Sequence, residues 1–281
     1  MEKLERSWQI MRASWDVLKQ DKEILVFPIL SGLALILIMA SFAVPIFALG
    51  NSDTIERIAR HNGAVGNLIV AFAFYFINYF VIVFFNTAIV ACATIRMRGG
   101  NPTVGDGLNA ASSRLFEIAG WALVSASVGM LLRAIEERSK FVGRIVAGLL
   151  GMAWGITSYL VIPILVNEKK GPMEAFQESA RLLKKTWGEE LIGSFSFGLL
   201  FFVLSLPAFM LIAAGAASGK GFLVLGFGSL AVFYFIALSA VQAALQGIFQ
   251  AALYQYAKKG EPPRGFDEGI LNEAITPRAF G

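Results

Sequence analysis

The stretch that decides the fold runs from Gly221 to Ala257, GFLVLGFGSLAVFYFIALSAVQAALQGIFQAALYQYA, and contains no Asp, Glu, Lys or Arg. An apolar run of about 18 residues or more without a charge is the mark of a helix that crosses a bilayer. At about 1.5 Å per residue this one would reach roughly 55 Å, against a hydrocarbon core of about 30 Å. Its cytoplasmic end must project beyond the membrane, or the helix must break.

Five more runs of this kind lie upstream, at Ile24 to Leu49, Val65 to Ala93, Ile118 to Leu132, Ile145 to Val166 and Leu191 to Ala217. The third is the shortest, and Arg133, Ala134 and Ile135 extend it to a full crossing if the guanidinium reaches the headgroups. Composition agrees: 56% of the 281 residues are apolar and 16% are charged, where soluble domains carry about 25% charge. The fold class expected is all-α, a polytopic membrane protein of about six transmembrane helices. The first run follows 23 residues of mixed charge and is too long for a signal h-region, so it reads as a retained first helix.

Charge fixes the orientation. Counted by alternating sides, 17 of the 24 Lys and Arg fall before the first helix, between the second and third, between the fourth and fifth, and after the sixth. The positive-inside rule puts those segments and both termini in the cytoplasm of a cell-membrane, multi-pass protein. The exception is the loop after the third helix, where Arg133, Arg138, Lys140 and Arg144 sit on the outer side, partly balanced by Glu136 and Glu137. On a membrane protein the net charge of +4 reflects this asymmetry and not a nucleic-acid partner.

Before each odd-numbered membrane helix stands a polar segment with an apolar stripe at helical spacing. The stripes are Leu4, Trp8, Met11, Trp15, Leu18; then Val104, Leu108, Ala111, Leu115, Ile118; then Met173, Phe176, Ala180, Leu183, Trp187. Helix starts are marked by Thr103 with Asp106, a capping box, and by Gly171-Pro172 with Glu174. Ser7-x-x-Ile10-Met11-Arg12-x-Ser14-Trp15 matches Ser179-x-x-Leu182-Leu183-Lys184-x-Thr186-Trp187. Three repeat-like units follow, 1–98, 99–170 and 171–260, each one cytoplasmic amphipathic helix plus two membrane helices, within a single membrane domain 1–260. Residues 261–281 form a Pro- and Gly-rich cytoplasmic tail, expected to be mobile.

The stretch Val161-Ile162-Pro163-Ile164-Leu165-Val166-x-Glu168, with Gly171-Pro172-x-Glu174-Ala175-Phe176-x-x-Ser179 and Lys184-x-Thr186-Trp187, resembles a motif of uncharacterised prokaryotic six-helix membrane families. Glu5-Arg6-Ser7-Trp8 with Gln20-Asp21-Lys22-Glu23 carries the same resemblance. A distant relative in this likeness is the membrane domain attached to some glycerophosphodiester phosphodiesterases. The resemblance implies fold and location. It implies no activity, because the phosphodiesterase chemistry belongs to a separate soluble domain.

A membrane-embedded enzyme or ion-coupled transporter places titratable side chains at a common depth. The runs hold none, so no catalytic residue, cofactor or metal site is assigned and the protein is read as no enzyme. Cys92 is the single cysteine and His61 the single histidine, the latter in the outer loop Gly50 to Ala64 near the end of a short helix stopped by Asn62-Gly63. What remains is neutral and polar. Gln242, Gln246, Gln250 and Tyr254 recur every four residues along the sixth helix, and Asn78 and Asn86 mark the second. Together they are the candidate lining of a cytoplasmic-side vestibule, or else hydrogen-bonding glue between helices. Ala147, Gly151 and Gly155, and Ala243, Gly247 and Ala251, are small-residue stripes suited to close helix packing, within a bundle or between copies of a homo-oligomer. The function expected is interaction with membrane lipids or passage of a small or amphiphilic solute; the alternative is a scaffold that organises the membrane or a partner without moving any solute.

Overall fold

In the computed structural model, residues 2–48, 52–138, 142–187 and 197–273 are described, and among them the regular structure is all helical. The chain forms α1 (Glu2–Gln20), a 3-10 turn (Lys22–Leu25), α2 (Val26–Ala48), α3 (Ser52–Met97), α4 (Val104–Ser112) and α5 (Leu115–Arg138). Then come α6 (Val142–Thr157), α7 (Val161–Asn167), α8 (Pro172–Trp187), α9 (Phe197–Ala217), α10 (Gly221–Lys259) and α11 (Glu268–Glu273). Five helical spans, at Lys22–Val44, Val65–Met97, Leu115–Arg138, Val142–Asn167 and Gly221–Lys259, are long and apolar enough to cross a membrane. The fifth apolar run yields α9, and its first residues, Leu191 to Ser196, lie outside the described residues, as do the side chains of Leu4, His61 and Trp187.

Chain breaks follow local chemistry. Gly63 has φ +66°, a conformation open to glycine, and bends α3 where Asn62-Gly63 was expected to end the outer-loop helix. Asp106 accepts hydrogen bonds from the Thr103 hydroxyl (2.7 Å) and amide (2.9 Å), so α4 starts on the expected capping box. These bonds hold the Asp106 carboxyl below its ordinary range, the hydroxyl contributing most.

The contacts divide the chain into two units. The first comprises residues 1–29, 89–107 and 181–281. In it α9 and α10 form a hairpin, with the Tyr234 hydroxyl donating to the Leu204 carbonyl at 2.6 Å. α10 does not break at Gln242 or beyond; it runs unbroken to Lys259, as its excess length required of an intact helix. Its surface changes along the way. Residues 221–243 are largely exposed, with Phe222 and Phe233 both at 71%, whereas Ala244 to Tyr256 are buried apart from half-buried Gln246. α1 packs against α10, α9 and α11.

The face that α1 buries is Ile10, Ala13, Ser14, Val17 and Leu18. That corrects the expected stripe: Trp8 and Trp15 face outward, at 52% and 41% exposed, and only Leu18 of the tested positions is buried. The tail is also corrected up to Leu271. A Cβ on Gly265 would stand 3.1 Å from Val17, the ring of Phe249 meets that of Phe266, and both Phe266 and Leu271 are buried. An apolar residue in an otherwise polar segment found a groove, and hydropathy alone does not show grooves.

The second unit comprises residues 30–88 and 108–180. α5 and α6 form its principal helix pair, and Trp121, Trp154 and Phe176 stack with ring centroids 5.0–6.0 Å apart. Of the second stripe, Ala111 and Ile118 are buried and Leu115 is exposed; on the part of α8 in this unit Ala175 and Ser179 are buried and Met173 of the third stripe is exposed, while Leu183 of that stripe, in the first unit, is buried.

Candidate functional site

The polar row on α10 is split by depth. Gln242 and Gln246 are half-buried, while Gln250 and Tyr254 fall in the fully packed half at 9% and 5% exposed. Near them Gln255 donates to the Met97 sulfur at 3.3 Å, and Gly247 lies so close to α3 that a Cβ would stand 2.5 Å from Ile89. That stripe of small residues joins two helices of one chain at Gly247. Asn78 and Asn86 belong to the other unit, and Asn78 donates to its own helix at the Phe74 carbonyl, 2.7 Å away.

Two polar networks escaped the sequence reading. In the first unit Asp21, 5% exposed, is held bidentately by the Arg96 guanidinium, which also donates to Asn101 at 2.6 Å. Glu23 accepts the Val104 amide at 3.2 Å. These contacts tie the turn after α1 to the end of α3 and the start of α4. Their residues stand about 75 positions apart, and the only local sign of them is the charged stretch Gln20-Asp21-Lys22-Glu23.

The second network lines a cleft of about 770 Å³ in the other unit, bounded by Tyr75 of α3, Gly129, Leu132, Arg133, Glu136 and Glu137 of α5, and Arg144, Ala147 and Gly148 of α6. Four of these lining side chains are charged. Arg133 donates to Glu137 at 2.9 Å and to the Tyr75 hydroxyl at 3.0 Å, and Arg144 stands 3.8 Å from Glu136. All four charged side chains are more than half exposed, and exposed pairs contribute about 0–1 kcal/mol each. The uncharged lining on the same helices, Gly129, Leu132, Ala147 and Gly148, lies within four residues of Arg133 or Arg144. A Cβ on Gly148 would meet no heavy atom within 4 Å. The signal that pointed here was the four basic residues on the side where few were expected.

The motif at Val161 to Ser179 has a structural role. Pro163 has no amide proton, so the helix cannot continue regularly into it, and α6 and α7 are separated at 158–160. The Ser179 hydroxyl closes that gap: it accepts the Leu160 amide at 3.1 Å and donates to the Thr157 carbonyl at 2.6 Å. Gly171 donates to Glu174 at 3.2 Å to start α8, and Lys170 bridges Glu168 and Glu178 at 2.8 and 3.4 Å. Among the described residues no three His, Cys, Asp or Glu side chains are grouped to hold a metal.

Residues 65–265 match the family of unknown function DUF6159. The match spans most of the chain, which therefore belongs to that family. No curated protein and no solved structure matches.

Proposed function

We propose that this member of DUF6159 is a lipid-interacting protein of the cell membrane that holds or passes an amphiphilic molecule at the α3–α5–α6 cleft, without turning it over. The observation that supports this is a lining that sets Arg133, Glu136, Glu137 and Arg144 beside the apolar side chains of Leu132 and Ala147, because an amphiphile likewise joins a charged part to an apolar one.

Six spans and cytoplasmic termini belong to this proposal, and parity supports them. Within the first unit α1 contacts α10 and α11, and Arg264 lies against Gly99. The N-terminal helix, the loop after α3 and the tail thus share one side, which requires an even number of crossings between them. Five spans would separate the termini. α9 supplies the sixth: Phe197–Ala217 has 21 residues, about 32 Å of helix. The exposed part of α10, residues 221–243, measures about 34 Å by the same rule, close to a hydrocarbon core of about 30 Å. The packed half then stands in the cytoplasm, with Gln250 and Tyr254 inside it, and counting spans places the cleft at the outer face.

The rival reading is a scaffold, favoured by Trp8 and Trp15 on the outward face of α1, where aromatic rings suit a headgroup layer. Phospholipid carried through purification in mild detergent separates the two. Wild-type protein should retain more than the Gly148→Leu variant, which adds a bulky side chain to the lining. Equal retention would remove the cleft reading and leave the scaffold.

A further inference from the structure

Resting on the reading of the cleft as a lipid site, we infer that it selects a zwitterionic phospholipid with a primary ammonium, a phosphoethanolamine lipid, over anionic and choline lipids. The charged side chains lining it are two arginines, Arg133 and Arg144, and two glutamates, Glu136 and Glu137. Their formal charges cancel. An anionic headgroup would satisfy the guanidinium groups and leave two carboxylates facing added negative charge. A zwitterion answers both signs: its phosphate accepts the planar fork of an arginine, and its ammonium donates to the carboxylates.

The groups are free to make that exchange. Arg133 with Glu137 and Arg144 with Glu136 are solvent-facing pairs at 2.9 and 3.8 Å, so each partner can trade the other for a headgroup atom of the same sign. Tyr75 accepts from Arg133 at 3.0 Å, which leaves its own proton to donate to a phosphate or ester oxygen. The choice of ammonium follows from the acceptors. Carboxylates bind a cation best through N–H donors, which a quaternary choline lacks; choline sites are built from aromatic cages, and this lining has one aromatic ring, Tyr75. Gly129, Leu132, Ala147 and Gly148 receive the start of the acyl chains.

The test is native mass spectrometry of the full-length protein in detergent with equimolar phosphatidylethanolamine, phosphatidylcholine and phosphatidylglycerol of identical chains. Ethanolamine adducts should exceed each of the others by about fivefold or more, a difference of the size one well-placed charged contact gives. The Glu136→Gln, Glu137→Gln double variant should keep its thermal melt but carry fewer ethanolamine adducts and lose the preference over phosphatidylglycerol. Glycerophosphoethanolamine, the headgroup without chains, should not compete at the same concentration. A wild-type preference for phosphatidylglycerol or phosphatidylcholine, a double variant with unchanged preference, or equal competition by the soluble headgroup would overturn the assignment. Lipid lost on Gly148→Leu but without headgroup preference overturns this inference alone; no lipid above the Gly148→Leu level overturns the cleft reading as well.

Discussion

Arg96 and Arg133 each stand near the end of a long apolar helix and each hold a carboxylate, yet the two pairs do different work. Asp21 with Arg96 is enclosed, its side chains 4% and 21% exposed, and every group it touches belongs to a junction of three chain segments. Arg133 with Glu137 is open, at 63% and 66%, beside a cleft with room to spare. The same ion-pair chemistry closes a fold where water is excluded and remains available for a ligand where it is not.

The largest effect expected from that difference is on stability. Arg96→Leu strands a buried carboxylate and should cost about 3 kcal/mol or more, whereas Arg133→Leu should cost less than about 1 kcal/mol. Thermal unfolding in detergent measures both, and similar losses would erase the distinction. Next come two glycines. Gly247→Leu forces a side chain into Ile89, with a Cβ already at 2.5 Å, and overpacking of that sort costs about 1–3 kcal/mol. Gly148→Leu meets open space and gains about 0.8–1 kcal/mol of helix propensity, so its melt should hold or rise. A fall equal to that of Gly247→Leu would mean the cleft is closed.

The smallest effect concerns α1. Trp15→Glu changes an outward side chain, so the detergent melt should move by no more than about 0.5 kcal/mol. In lipid nanodiscs the amides of α1 should nonetheless exchange faster than in wild type. Unchanged exchange would place Trp15 in water and not in a headgroup layer.

The membrane helices were legible because their signal is a run of residues along the chain. Gly221 to Ala257 announces a helix without help from any other segment, and its length exceeds what a bilayer crossing needs. The capping chemistry of Thr103 with Asp106 and the bend at Gly63 were legible for the same reason. What a helix presents to its neighbours was not. Trp8 and Ile10 are both apolar and two positions apart, and only the packing of α1 decides that Ile10 goes in. The cleft was least legible: Tyr75 and Arg133 are 58 residues apart, and a charged group near an outer loop reads as solvated until the opposing helix is known. The polar row at Gln242 to Tyr254 was visible as a period, but the period does not tell a vestibule from a packed helix end.

One labelling experiment bears on the whole arrangement. In a Cys92→Ala background, single cysteines replacing Ser52, Asn101, Glu137, Gly171, Ser218 or Gly260 are exposed in intact cells to an impermeant thiol reagent. Labelling is expected at positions 52, 137 and 218, with 101, 171 and 260 protected until the membrane is opened. Labelling at Gly171 or Gly260, or protection at Glu137, would contradict it.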